Sequence, residues 1–284
     1  MSMICRIAEA FKCLCLYLCL LLAGSAGNAL EPIPDRLVVL TFDDSVKSHF
    51  TEVRPILLKH GFGATFFITE GWDFATNKDH YMTWEQIAQL HQDGFEIGNH
   101  TRDHMGVTDQ SVTRLSAQLQ AIESRCLDYG IPAPVSFAWP GNAITEKAFA
   151  TLRKHGIQFA RRGGAPEYPY KFGQGVAYEP GEDHPLLIPS AGDGRPFWVL
   201  DDFVKGVSQA KNGHIAVMQF HGVPDIAHPW VNSVKARFAE FMQYLADNAY
   251  TVIALRDLET YVDYRVEPDE PFRIIEQRQR ERAK

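Results

Sequence analysis

Apolar and polar positions along the chain follow two alternating rhythms. Runs with almost no polar interruption occur at 37–42 (LVVLTF), 63–69 (GATFFIT), 95–100 (FEIGNH), 135–140 (VSFAWP), 157–162 (IQFARR), 214–222 (HIAVMQFHG) and 250–255 (YTVIAL). Short apolar runs of this length, rich in Val, Ile and Phe, are expected of strands buried on both faces. Between them lie segments with apolar residues at helical spacing, at 50–60, 83–94, 111–129, 145–155 and 231–248. In 111–129 the apolar stripe is Val112, Leu115, Leu119, Ile122 and Cys126. Thr83 with Gln86 three residues on forms a helix-start signature, and Gly61 and Gly94 are stop signals. Alternating strands and helices predict an α/β fold with a parallel sheet covered by helices, and such folds carry their chemistry at the C-terminal ends of the strands. Residues 163–213 break the rhythm; rich in Gly and Pro, with one helix expected at 199–211, they read as functional loops or a lid. The final charged stretch, 265–284, reads as a peripheral tail.

The first residues follow a different pattern. Arg6 and Lys12 precede an apolar run at 14–29 that ends in small residues, with Gly27 and Ala29 at the positions a signal peptidase requires. The run is shorter than the ~20 residues of a spanning helix. We therefore expect residues 1–29 to be an export signal, an uncleaved anchor being the alternative, and the mature protein to be secreted or periplasmic with no stable membrane span. Residues 30–264 form the expected catalytic domain. Of the five cysteines only Cys126 lies beyond the signal, so no internal disulfide is expected. The net charge is −7, and loss of Arg6, Lys12 and Glu9 with the signal would leave −8. With no basic stripe, nucleic acid is not an expected partner. At 45% hydrophobic content, 284 residues suffice for one large core.

Candidate chemistry gathers at three strand ends. Asp43 and Asp44 follow the first strand; His100 and His104, four apart, follow the third; His221 ends MQFHG. On a helical turn both imidazoles would face one ion, and a carboxylate with two imidazoles leaves coordination positions open for water, the mark of a catalytic metal site.

These motifs resemble the polysaccharide deacetylases, also called the NodB-homology domain, over roughly residues 37–261. TFDDS is similar to the family's first motif T-F-D-D-G/S, HTRDH to H-S/T-x-x-H, and MQFHG to the final L-x-H. The resemblance implies an irregular (β/α) barrel and a hydrolase that removes acetyl groups from N-acetylated (or O-acetylated) glycans with a divalent metal, commonly Zn²⁺, with Co²⁺ possible. It implies Asp43 as general base, Asp44, His100 and His104 as metal ligands, and His221 as general acid. It also implies an oxyanion-holding backbone N–H near Trp139 and Pro140. The third motif, R-x-P-x-G, is here AWPGN, with Ala138 at the arginine's place, so Arg161 and Arg162 are the candidate replacements. The fourth motif, an Asp that tunes the catalytic His, has Asp183 and Asp193 as candidates. Among Trp72, Tyr81, Trp84, Trp139 and Trp198, Trp139 is the expected sugar platform and Trp84 a core residue. Two other readings stay open: a catalytically silent carbohydrate-binding protein of the same fold, and a hydrolase of a non-sugar C–N bond.

Overall fold

The computed structural model describes residues 29–284, so the expected export signal, apart from its last residue, lies outside the described residues. Residues 32–284 form one compact unit. Its strands are β1 (Leu37–Phe42), β2 (Thr65–Ile68), β3 (Glu96–Asn99), β4 (Ser136–Ala138), β5 (Phe159–Arg161), β6 (Gly192–Asp193), β7 (Ala216–Phe220) and β8 (Thr251–Ile253). They pair in parallel in the order β5-β4-β3-β2-β1-β7-β6, with β8 beside the first half of β1 and β2 beside its second. A single stretch closes the curled sheet. Ile188 bridges Arg161 of β5, and four residues later β6 pairs with Met218 and Gln219 of β7. The expected irregular (β/α) barrel is thus observed.

Each strand sorts its residues by period two. Val38, Leu40 and Phe42 pack with Val53 and Leu57 against the helical layer, whereas Leu37 and Val39 meet Phe67, Phe159, Ile188 and Val217 inside the barrel. Both faces are apolar, which is why these strands show no amphipathic alternation. The alternation places the polar residues nonetheless. Asp43 continues the inward face of β1, and Gln219 and His221 continue the inward face set by Val217. Below the mouth, Phe42 stacks on its register partners Phe66 and Phe220 at centroid distances of 5.0 and 5.6 Å.

The helices are α1 (Arg54–His60), α2 (Trp84–Gln92), α3 (Leu115–Asp128), α4 (Phe149–Lys154), α5 (Leu200–Val207), α6 (Lys235–Asp247) and α7 (Arg273–Arg282). Thr83 and Gln86 form the reciprocal cap expected of α2, and Gly61 ends α1 in the left-handed conformation. Trp84 is buried, as expected of a core residue. Among the described residues no helix is long and apolar enough to cross a membrane.

Two segments differ from expectation. Residues 163–213 are not a loose lid, because here backbone packs on backbone. A Cβ at Gly164 would lie 2.1 Å from the Gln174 carbonyl oxygen, and one at Gly175 1.8 Å from that of Ser190. Such packing leaves no side-chain period to read. The charged end is not peripheral either: in α7, Ile274 and Ile275 are buried against the cluster containing Leu152, Leu186 and Leu187. Arg278 clasps Asp183 with contacts of 2.7 and 2.9 Å.

Candidate active site

The polar residues all emerge at the C-terminal ends of the strands. The chain reverses sharply after β1, with Asp44 at φ 77° and Ser45 at φ 56°. Ser45 fastens the turn to β2 by donating to the Thr69 carbonyl (2.8 Å) and accepting from its amide (2.9 Å). The Thr69 hydroxyl then accepts from the His104 amide at 3.0 Å. His100 and His104 are not on a helix. They converge through a turn in which Thr101 and His104 adopt φ of 56° and 51°. Among the described residues nine non-glycine residues have positive φ, and six of them (Asp44, Ser45, Trp72, Thr101, His104 and Asn142) lie at this end of the barrel. Strain concentrated in this way is typical of a functional site held by its surroundings.

Ligand atoms of Asp44, His100 and His104 lie within 4.8 Å of one another. The Nε2 atoms of His100 and His104 approach Asp44 Oδ1 to 3.4 and 3.5 Å. His100 Nδ1 lies 2.8 Å from the Ala138 carbonyl, which can only accept, so Nδ1 carries a proton and Nε2 is the ring nitrogen turned toward Asp44. Asp44 Oδ1 is buried with no hydrogen-bond partner. Burial works against the charge of Asp44, yet its histidine neighbours, contact with His100 first and then His221, hold it well below the usual carboxylate range. Burial, then the neighbouring His100, pushes His104 down to about 4 and keeps that ring neutral. An orphaned carboxylate oxygen facing two imidazole nitrogens suits a divalent cation. Replacing His104 with Ala is expected to weaken zinc binding at least about a hundredfold, measured by competition with a chromophoric chelator.

Asp43 is only 2% exposed. Arg161 Nη2 donates to both of its oxygens at 2.6 Å, and Gln219 Nε2 donates to Oδ2 at 3.1 Å. Arg161 is the register partner of Ala138, so its guanidinium enters from the strand adjoining the one that carries the family's arginine position. His221 Nε2 lies 4.0 Å from Asp43 Oδ2 and 3.8 Å from Asp44 Oδ2, while Asp193 Oδ1 stands 3.6 Å from its Nδ1. Burial would depress His221, but contact with Asp193 and the charges of Asp193, Asp44 and Asp43 lift it to about 9. Arg195 in turn holds Asp193 at 2.5 Å. Behind the site, buried neutral His49 donates to the His221 carbonyl at 3.1 Å.

Several sequence expectations are corrected. Arg162 is not in the site: adjacent strand residues face opposite ways, and its guanidinium is buried on Glu167 at 2.5 and 2.8 Å. The Trp139 amide is committed to the Arg161 carbonyl at 3.0 Å, and Pro140 has no N–H, so neither supplies an oxyanion donor. Trp139 borders the cleft but is 2% exposed, with its indole N–H on the Leu186 carbonyl, so it offers no stacking face. Asp193 reaches His221, whereas Asp183 belongs to Arg278. Tyr81 and Trp198 are buried. In MQFHG, Gln219 occupies the position of the motif's Leu. Its inward direction follows from its spacing of two from His221, a signal present in the sequence. Also unanticipated are His228 and Trp230, on the loop after β7. The site opens into a cleft of about 570 Å³ bordered by Trp72 and Trp230, which are 49% and 62% exposed. His228 lies between them, at 4.8 and 5.4 Å.

Comparison with known proteins accords with this geometry. Residues 31–160 match the polysaccharide deacetylase family. A peptidoglycan-N-acetylglucosamine deacetylase of Bacillus cereus is 27% identical over 128 residues, covering 45% of this chain and 56% of that protein. This chain's match thus spans little more than half the relative's length. A cobalt-bound family 4 acetyl xylan esterase from Clostridium thermocellum superposes with a TM-score of 0.55 at 19% identity, over 83% of this chain and 94% of that one. A family 4 pseudoenzyme from Bacillus anthracis gives 0.53 at 15% identity, over 81% and 69%. At these identities the structural likenesses establish the barrel alone. The likeness to the polysaccharide deacetylase family thus rests on residues 31–160, a little under half of the chain.

Proposed function

We propose that the protein is an exported, metal-dependent hydrolase that removes an acetyl group from an N-acetylated glycan. The observation that carries this reading is the juxtaposition of Asp43, fixed by Arg161, with His221, backed by Asp193, beside the Asp44–His100–His104 cluster. Asp44, His100 and His104 would hold the ion, and a carboxylate with two imidazoles suits zinc or cobalt. When bound, such an ion supplies Lewis-acid polarisation of the acetamide carbonyl and acidifies water at the site. Asp43 takes the proton from the attacking water. His221, protonated at neutral pH by its carboxylate neighbours, gives its proton to the departing nitrogen, so that acetate and a free amine leave. A base and a charged acid serve no purpose in a silent binding protein, and Arg161 fills the gap left by Ala138. An acid for the nitrogen favours an amide over an O-acetyl ester, because an amine leaves only when protonated.

The exposed indole of Trp230 supports a sugar substrate rather than a small amide. Trp230→Ala is expected to raise KM for oligosaccharides about five- to tenfold, from ~1 kcal/mol of lost ring contact, with kcat and zinc content little changed. The reading itself is tested by acetate release from chitooligosaccharides and peptidoglycan fragments by zinc- or cobalt-loaded protein. No release from any acetylated glycan, by folded protein with bound metal, would overturn it. Export is supported by the apolar run ending at Ala29 and is tested by N-terminal sequencing of the mature protein.

A further inference from the structure

Asp43 is held by more than its arginine. Arg161 approaches through Nη2 alone, with its Nε buried and unpartnered, so the guanidinium fixes the position of the carboxylate without the two-nitrogen fork that would also fix its plane. The second donor, Gln219 Nε2, reaches only Oδ2. Gln219 is itself oriented: Ser190 Oγ lies 3.1 Å from its Oε1 and 2.8 Å from the Arg162 carbonyl. Facing a carboxylate, an amide presents its NH2 group and not its oxygen. That leaves Oε1 to accept, and the Ser190 hydroxyl, its proton between two acceptors, is the donor that fits. Both residues are fully or nearly buried, Ser190 at 0% and Gln219 at 6% exposure.

We propose that Ser190 and Gln219 form a hydrogen-bonded relay that sets the rotation of the Asp43 carboxylate, giving Oδ2 a second donor and leaving Oδ1, with the arginine alone, as the oxygen that takes the proton. Both are positioning residues. The inference rests on the reading of Asp43 as the general base, and it gives the irregular segment 163–213 a catalytic task through Ser190. In the metal-loaded full-length protein, Gln219→Leu, close in shape and unable to donate, is expected to lower kcat for acetate release from chitooligosaccharides about ten- to a hundredfold. KM and zinc content should hold. Ser190→Ala should lower kcat several-fold in the same manner, and Ser190→Thr, which keeps the hydroxyl, should restore it. Undiminished kcat in Gln219→Leu, equal losses in Ser190→Thr and Ser190→Ala, or a loss carried by KM or zinc content would overturn the relay.

Crystal structures of the Gln219→Leu and Ser190→Ala proteins read the relay without turnover. The Asp43 carboxylate is expected to turn about its Cβ–Cγ bond or to split between two orientations. An unmoved carboxylate overturns the relay whether or not the wild type releases acetate. A turned carboxylate in a protein whose wild type shows no turnover supports the relay and counts only against the deacetylase reading.

Discussion

Asp43→Asn is expected to lower acetate release by about 10²–10⁴-fold, the usual contribution of a positioned general base. The substitution keeps shape and removes only the capacity to take a proton. Its amide oxygen still accepts from Arg161 Nη2, though the guanidinium keeps one acceptor in place of two and loses its counter-charge. Asp44, His100 and His104 make no contact that depends on the charge of Asp43. Zinc content should therefore stay close to wild type and glycan binding should survive, while the melting temperature falls because the buried Arg161 guanidinium loses its counter-charge. Rates in Asp43→Asn within a few-fold of wild type would remove Asp43 from the chemistry and with it the division of labour between the two aspartates.

Arg161→Met is expected to cost about 3–5 kcal/mol of stability, because removing one partner of a buried ion pair leaves the other charge uncompensated. The side chains of Arg161 and Asp43 are 1% and 3% exposed, and the guanidinium lies over the Phe67 ring at 5.4 Å. Methionine replaces the aliphatic stem but supplies no donor. The double variant Arg161→Met with Asp43→Asn should recover much of the lost stability and none of the turnover. Chemical denaturation of the four proteins gives the coupling. Additive losses would mean that the pair is not the interaction holding this side of the barrel mouth.

The fold was legible because a parallel barrel buries both faces of its strands, so most of them appear as short, largely apolar runs ending in polar residues, β6 in the aperiodic segment being the exception. The grouping of Asp44, His100 and His104 was legible for the same reason: all three follow strand ends. What the sequence hid depends on register. Arg161 and Arg162 are indistinguishable as neighbours, and only the pairing of Ala138 with Arg161 decides which one enters the barrel. Asp193 was one of two candidates in an aperiodic segment, and its selection needed the pairing of β6 with β7. Convergence of the two histidines was anticipated, but by the wrong geometry, since left-handed residues bring about what a helical turn was expected to do. Trp139 was misjudged because a residue at a strand end can close a wall as readily as it can face solvent.

The docking of α7 bears on how this protein can be shortened. A boundary drawn near residue 264, where the composition turns charged, would strip the cover from Leu186 and Leu187 and leave Asp183 without Arg278. Those residues lead directly into Ile188, Ser190 and Asp193, the run that shuts the barrel and stands behind both proton-transfer groups. A trimmed protein would retain Asp44, His100 and His104 and still lose the buttress behind Asp43 and His221, so an inactive fragment of that kind would say nothing against the proposed activity.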